Sequence, residues 1–384
     1  MGRILLVSWN YPPAIGGIEN LVAAAGQMLA SRHEVTVLTR AFPGAAPEPG
    51  VERLAARSFP AFAIRALPRA LGRCAGGGCD LLLAGSATAA PVTAIAAMLT
   101  RTPAAVYCHG LDLAYPNAGY QALLRGALRA HRVVAANSRN TAALAHSRGV
   151  DPARTLVIPP GASPAILAAI AAAPEPAATR ERVGDGHRPW LLSVGRLVPR
   201  KGMLRFVRRT LPRILAQVPE ALLLIAGDDT TTGLVHRAGE RALVEAAVAA
   251  LGLGGSVRFL GRLDDAELAA TYRAADLFVL PAVDVTGDVE GFGMVTIEAA
   301  AAGIPAVVSG CGGIPDTVDD GVSGIVVPPG NDAAFAAAVV ALLQDDGRRR
   351  AMGSAARDRT ARLYSAEALT PRWLELADRA LARG

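Results

Sequence analysis

Short apolar runs of strand length recur along the chain, each followed by a longer stretch with helical spacing, and the whole alternation occurs twice. In the first half the runs fall at 4–7, 35–39, 81–84, 104–108, 133–136 and 156–159. In the second they fall at 190–195, 222–227, 257–261, 277–281, 306–309 and 324–327. Strands that are apolar on both faces and separated by helices predict parallel sheets covered on both sides, hence an α/β chain with two doubly wound, Rossmann-like domains. Between the halves, residues 162–189 lose the strand pattern and gain proline, glycine and alanine, which predicts a hinge. The expected division is a first domain at 1–165, a linker at 166–188 and a second domain at 189–384, with the last helix packing back toward the first domain. Ligands of such sheets bind beyond the carboxyl ends of the strands, so a cleft between two facing domains is the expected site.

Composition agrees with buried domains rather than disorder, because 52% of the 384 residues are hydrophobic and only 19% charged. Cys74, Cys79, Cys108 and Cys311 show neither a CxxC pair nor a histidine at metal-ligand spacing, so they read as small apolar fillers in a reducing cytoplasm. The run at 4–7 is too short for the apolar core of a signal peptide. Residues 81–100 carry no charge over a length that spans a bilayer, but Gly85, Ser86, Thr88, Pro91, Thr93 and Thr100 break them into strand, turn and helix. Residues 1–170 hold 15 Arg against 7 Asp and Glu, a balance of +8, while the remainder carries −2 of the total +6. A basic half suits an anionic lipid or a phosphorylated ligand; without an RNA-binding aromatic motif, finger or helix-turn-helix, nucleic acid is not an expected partner.

The stretch EGFGMVTIE, Glu290 to Glu298, sets two carboxylates eight positions apart at the start of a helix that stops at Gly303. Fully helical, that separation is about 12 Å. Paired glycosidase carboxylates lie roughly 5 to 9.5 Å apart across one bond, so this spacing suits two contacts at the ends of a longer ligand. Between them the backbone amides of Gly291, Phe292 and Gly293 are expected at a helix amino end, which attracts phosphate. A ligand with a hydroxylated ring at each end and a diphosphate in the middle fits all three features, as a nucleotide sugar does. VGRLVPRKGM, after the first strand of the second domain, offers positive charge through Arg196 and Lys201, the latter the only lysine in the chain.

In the first domain, Gly16 and Gly17 of NYPPAIGGIEN let backbone approach a ligand just before a helix, although no G-x-G-x-x-G fingerprint is present. His109 and Gly110 of YCHGLDL end a strand and are expected to face the cleft. His33, His131, His146, His187 and His236 are given no role, and the acidic doublets 228–229, 264–265 and 319–320 lack the spacing of a metal-binding DxD.

PPAIGGIE, CHG, ANS at 136–138, GRLVPRKG, EGFGMVTIEAAAAGIPAVVS, GGIPD at 312–316 and DGVSGIVVPPGN occur in that order. With them the chain resembles glycosyltransferase family 4, retaining enzymes of the GT-B architecture, in which two Rossmann-like domains face each other across a cleft. GDVEGFGMV is also similar to the subgroup that mannosylates phosphatidylinositol mannosides from GDP-mannose. The resemblance implies that Glu298 hydrogen-bonds the nucleotide ribose and that Glu290 and His109 lie near the transferred sugar. Arg196 and Lys201 then neutralise the donor diphosphate, and Gly16 and Gly17 close on it. It further implies transfer of a mannose-like or glucose-like hexose from a GDP- or UDP-sugar to a hydroxyl of a glycan, lipid-linked or small-molecule acceptor, with no tightly bound cofactor or metal. The other readings are a nucleotide-sugar epimerase, a two-domain oxidoreductase, which the absent fingerprint disfavours, and a non-catalytic nucleotide-sugar-binding protein.

Arg53, Arg57, Arg65, Arg69 and Arg73 are interleaved with Phe62, Ile64, Leu67 and Leu71. That amphipathic composition predicts peripheral contact with an anionic membrane at its cytoplasmic inner face, should the acceptor be lipid-linked.

Overall fold

The computed structural model describes residues 1–14, 16–183, 186–229 and 239–382. They form two compact units, Met1–Gly161 with Ser365–Gly384, and Ala162–Tyr364. In the first unit the strands are β1 (Arg3–Val7), β2 (Glu34–Arg40), β3 (Val51–Leu54), β4 (Leu81–Ala84), β5 (Ala104–Cys108), β6 (Val133–Ala136) and β7 (Thr155–Val157). They make one sheet in the order β3-β2-β1-β4-β5-β6-β7, with every pair parallel. Helices α1 (Gly17–Ala30), α2 (Phe59–Cys74), α3 (Ala90–Thr100), α4 (Leu111–Ala114), α5 (Ala118–Ala130) and α6 (Arg139–His146) connect them.

In the second unit, α7 (Pro164–Ala172) and α8 (Pro176–Val183) precede β8 (Trp190–Val194), β9 (Leu222–Ala226), β10 (Val257–Gly261), β11 (Leu277–Leu280), β12 (Ala306–Ser309) and β13 (Gly324–Val327). This sheet runs β10-β9-β8-β11-β12-β13, again with every pair parallel. Its helices are α9 (Met203–Arg205), continued through a π turn at Phe206–Thr210 into α10 (Leu211–Leu215), then α11 (Glu240–Ala250), α12 (Asp265–Ala274), α13 (Met294–Ala301), α14 (Asp332–Gln344) and α15 (Asp346–Tyr364). Leu191, Leu223, Ile225, Val279 and Val307 point to one buried face of the sheet and Leu192, Leu224, Phe278 and Val308 to the other. The closing helix α16 (Ala366–Leu381) belongs to the first unit, where it lies along α1 and sets Trp373 edge-on to Tyr107 of β5 at 4.9 Å.

Three expectations change. The sheet of the first unit has an edge strand, β3, that the pattern did not announce, because VERL carries Glu52 and Arg53 and only Leu54 is buried. The segment 166–188 read as a linker contains most of α7 and all of α8. Pro164 and Pro176 are helix starters, since each occupies a first-turn position where the missing N–H costs nothing, and Ile166 and Ile170 pack on Ala269 of α12. In α2 the apolar positions turn mostly inward. Phe62 is fully buried, Leu67 and Leu71 pack on the same core, and Ile64 alone of the four is exposed. The helix runs unbroken through Pro68. Arg69 and Arg73 both pair with Glu52, at 3.2 and 3.1 Å, and Arg53 pairs with Glu48 at 3.1 Å.

Candidate active site

The sheet of the second unit changes winding direction between β8 and β11, which makes the loops beyond those two strands its natural ligand site. Glycines decide how these loops approach each other. Gly202 has φ 71°, and a Cβ there would overlap the carbonyl oxygen of Pro281 at the end of β11. The turn Pro199–Lys201 therefore lies directly on the loop after β11, and the Val283 amide donates to the Arg200 carbonyl at 2.9 Å. On the far side, the Gly313 amide donates to the Glu290 carbonyl at 2.9 Å, and Gly312, with φ 53°, leaves the room that Glu290 occupies.

The result is a nearly buried ion cluster. The Glu290 carboxylate accepts from Lys201 Nζ at 3.0 Å and from Arg200 Nε at 3.2 Å, while Arg200 also reaches Asp288 at 3.3 Å. Side-chain exposure is 11–13% for Arg200, Lys201 and Glu290. Burial by itself would push the Glu290 carboxyl up, but the Lys201 ammonium and the Arg200 guanidinium outweigh it and bring the group down to about 2. Glu290 is thus an anion at neutral pH and no proton donor.

Glu298 is shifted in the opposite direction. It sits in the second turn of α13, where the Tyr272 hydroxyl donates to its Oε2 at 3.0 Å. Burial raises its carboxyl above the ordinary range, against the Tyr272 hydrogen bond and the Lys201 charge, which both favour the anion. Burial and the facing carboxylate push the Tyr272 hydroxyl far up as well, so it stays a donor. Lys201 therefore acts electrostatically on both glutamates.

The helix between the glutamates is shorter than the sequence suggests. It begins at Met294, after Gly293 at φ 85°, so Gly291 and Phe292 lie in the loop before it and only part of the span is helical. The Phe292 side chain is buried, edge-on to Tyr364 at 5.7 Å, where it anchors the loop.

Arg196 lies one residue beyond Gly195, exposed and outside the ion cluster, because the chain turns over before Arg200. Arg200 is the member of the cluster that sequence reasoning passed over; its signal was adjacency to Lys201 in VPRKG. Tyr272, in the middle of α12, gave no signal at all. The acidic doublets are structural: Asp229 accepts from the amides of Gly239 and Arg241, Asp264 forms a capping box with Glu267, and Asp320 accepts from the Val326 amide.

In the first unit, Gly16 precedes α1, and a Cβ on it would overlap the Glu19 carboxylate. Asn10 Nδ2 donates to that carboxylate at 2.7 Å. His109 is buried at the end of β5, with Nε2 2.8 Å from the Gly85 carbonyl and its amide donating to Asp112 at 2.9 Å. A carbonyl only accepts, so Nε2 carries the proton and Nδ1, buried without a partner, is left as an acceptor. His131 is held by Thr93 and the Ala127 carbonyl, and burial lowers it to about 4, while His33 accepts from the Gly2 amide and His146 meets Thr155. His187 is exposed, and His236 lies outside the described residues.

Two parallel doubly wound sheets are the GT-B architecture of glycosyltransferases, and the ion cluster and the buried carboxylate–tyrosine pair lie at the switch point of the second. Solved structures agree on the fold. A sucrose-phosphate synthase from Thermosynechococcus elongatus superposes with TM-score 0.77 over 99% of each chain at 25% identity. Anabaena HepE in complex with UDP gives 0.75 at 21% identity over 98% of this chain and 99% of its own. Residues 15–165 match the model for Glycosyltransferase Family 4 and residues 177–359 that for Glycosyl transferases group 1. A GDP-mannose-dependent alpha-(1-6)-phosphatidylinositol monomannoside mannosyltransferase of Mycolicibacterium smegmatis is 32% identical over 374 residues, 92% of each chain. A D-inositol 3-phosphate glycosyltransferase of Corynebacterium kroppenstedtii is 35% identical over 46% of this chain and 37% of its own. The chain belongs to glycosyltransferase family 4.

Proposed function

We propose that this glycosyltransferase moves a hexose from a nucleoside-diphosphate sugar, GDP-mannose being the first donor to try, to a hydroxyl acceptor with retention of anomeric configuration. The observation that carries the reading is the pairing of Lys201 and Arg200 with Glu290 at the switch point, eight positions before a second carboxylate held by Tyr272. In this reading Lys201, with the exposed Arg196, stabilises the diphosphate as the bond from C1 to the phosphate oxygen breaks. The bond from the acceptor oxygen to C1 forms on the same face, and the acceptor proton leaves on the diphosphate. Glu290, anionic and tied to two cations, orients those cations and accepts from a sugar hydroxyl. Glu298 uses the carboxylate oxygen that Tyr272 leaves free to accept from a ribose hydroxyl. The amides of Gly291, Phe292 and Gly293 approach the phosphates. In the first unit, Gly16 and Gly17 supply close backbone approach, and His109 offers Nδ1 to a sugar hydroxyl.

The relatives' names include a phosphatidylinositol mannoside and an inositol phosphate as acceptors, and we extend to this chain an acceptor of that kind. Among the described residues no helix is long and apolar enough to cross a membrane. A peripheral contact is supported by α2, α3 and α5, in which α3 adjoins both others; they contain no Asp or Glu and carry Arg65, Arg125 and Arg129, besides Arg69 and Arg73, which Glu52 of β3 partly neutralises. Ile64, Met98 and Leu99 on α2 and α3 are 74, 73 and 68% exposed. We assign this face to an anionic bilayer at the cytoplasmic side.

Acceptor-dependent release of nucleoside diphosphate from GDP-mannose or UDP-glucose, with the product's anomeric coupling read by NMR, tests the reaction. Retention supports the proposal; an inverted product, or epimerised donor appearing without acceptor, refutes it.

A further inference from the structure

In the first unit, the loops beyond β1 and β2 gather side chains that the reaction described above does not use. Arg40 closes β2, and its guanidinium carbon lies 4.3 Å from the ring centroid of Trp9 and 4.2 Å from that of Phe42. Trp9 is fixed in turn, edge-on to Phe59 and Phe62 of α2 at 6.1 and 5.7 Å. Two rings thus hold the guanidinium in place, which removes much of the rotamer entropy that a free arginine loses on binding. Its Nε is buried without a partner, and Arg40 makes no ion pair among the described residues. The carboxylate whose field favours the Arg40 charge is Glu19 of α1, and that group is already engaged by Asn10 at 2.7 Å. A partly desolvated cation, rigidly held and lacking a direct counter-ion, costs stability unless a ligand completes it. The place is right for a ligand, because the carboxyl ends of β1 and β2 adjoin the Gly16 turn through Asn10 and Glu19.

We propose that Arg40 binds an anionic group of the acceptor, a phosphate ester or a carboxylate, and so selects acidic acceptors over neutral ones. The planar fork of an arginine fits either oxyanion through two parallel hydrogen bonds. This inference rests on the transfer reaction proposed above only in assigning the anion to the acceptor.

The test is calorimetric titration of the full chain with myo-inositol 1-phosphate, glucuronate and myo-inositol, for the wild type, Arg40→Gln and Arg40→Lys. GDP and UDP are titrated into the same preparations. The wild type is expected to take at least one of the two anions in preference to myo-inositol, and which one identifies the oxyanion. Arg40→Gln should weaken that ligand roughly 10- to 100-fold, as loss of a charge-assisted hydrogen bond does, with nucleotide affinity unchanged. Arg40→Lys should recover part of the loss. A wild type without preference for either anion, or an Arg40→Gln variant that keeps it, overturns the proposal. Failure of the wild type to bind either nucleotide counts instead against the transferase reading, and the unchanged nucleotide affinity of the variants serves as their folding control.

Discussion

At the scale of single residues, the two glutamates of EGFGMVTIE have opposite electrostatics, and this makes them separable by pH. An unfolded glutamate titrates near 4.3, whereas folded Glu290 is held at about 2 by Lys201 and Arg200. Its contribution is therefore present above the unfolded value and is lost as pH falls from roughly 4.3 to 2, on the order of 3 kcal/mol in all. Glu290→Gln should be less stable than the wild type at neutral pH, and the gap should narrow through that window in urea melts. Glu298 has a raised folded value, so the stability it contributes is full below the unfolded value and is lost as pH rises through the folded one. Glu298→Gln should accordingly match or exceed wild-type stability at neutral pH while binding donor less well. Tyr272→Phe should raise the donor KM with little change in kcat, since it frees the Glu298 carboxylate from its anchor. Glu290, Glu298 and Lys201 were legible as candidates because motif and strand end coincide. Arg200 and Tyr272 were not, because which side chain of a turn or helix meets a carboxylate is decided by contacts between distant segments.

At the scale of elements, the site depends on loops that glycine allows to touch. Gly312→Ala places a methyl group on the Glu290 carbonyl at φ 53°, which should cost roughly 1–3 kcal/mol and reduce turnover, as thermal melts and kinetics would show. Strands such as β5, β6, β12 and β13 were readable to the residue, since buried parallel strands are continuous apolar runs flanked by polar turns. The edge strand β3 was hidden by its own charges, and α7 by alanine and proline, which mark a loop as readily as a helix start. The apolar surface was misplaced from sequence for a related reason. A helical stripe such as Phe62–Leu71 does not say whether it faces the sheet, while α3, without a single charge, keeps Met98 and Leu99 outside. Replacing both by Ser should weaken co-sedimentation with anionic vesicles about ten-fold or more, at unchanged turnover on a water-soluble acceptor. Equal binding of that variant and the wild type would detach α3 from the membrane.

At the scale of the whole molecule, two parallel sheets with the same doubly wound plan were predictable because each demands a repeated alternation of buried strand and covering helix. Family membership adds the reaction class, and the proposal above places it at the ion cluster of the second unit. The central claim is that Lys201, oriented by Glu290 and acting with Arg196, binds the diphosphate. It is tested most directly by the thermal stabilisation that GDP and UDP confer on the wild type and on Lys201→Ala. A ligand at 100 times its dissociation constant stabilises by about 2.7 kcal/mol. The account predicts that at least one nucleotide does so for the wild type and that Lys201→Ala, which melts lower without ligand because Glu290 loses a cation but is still folded at the starting temperature, loses most of the shift. A shift of equal size in both proteins, or none in the wild type, would contradict it.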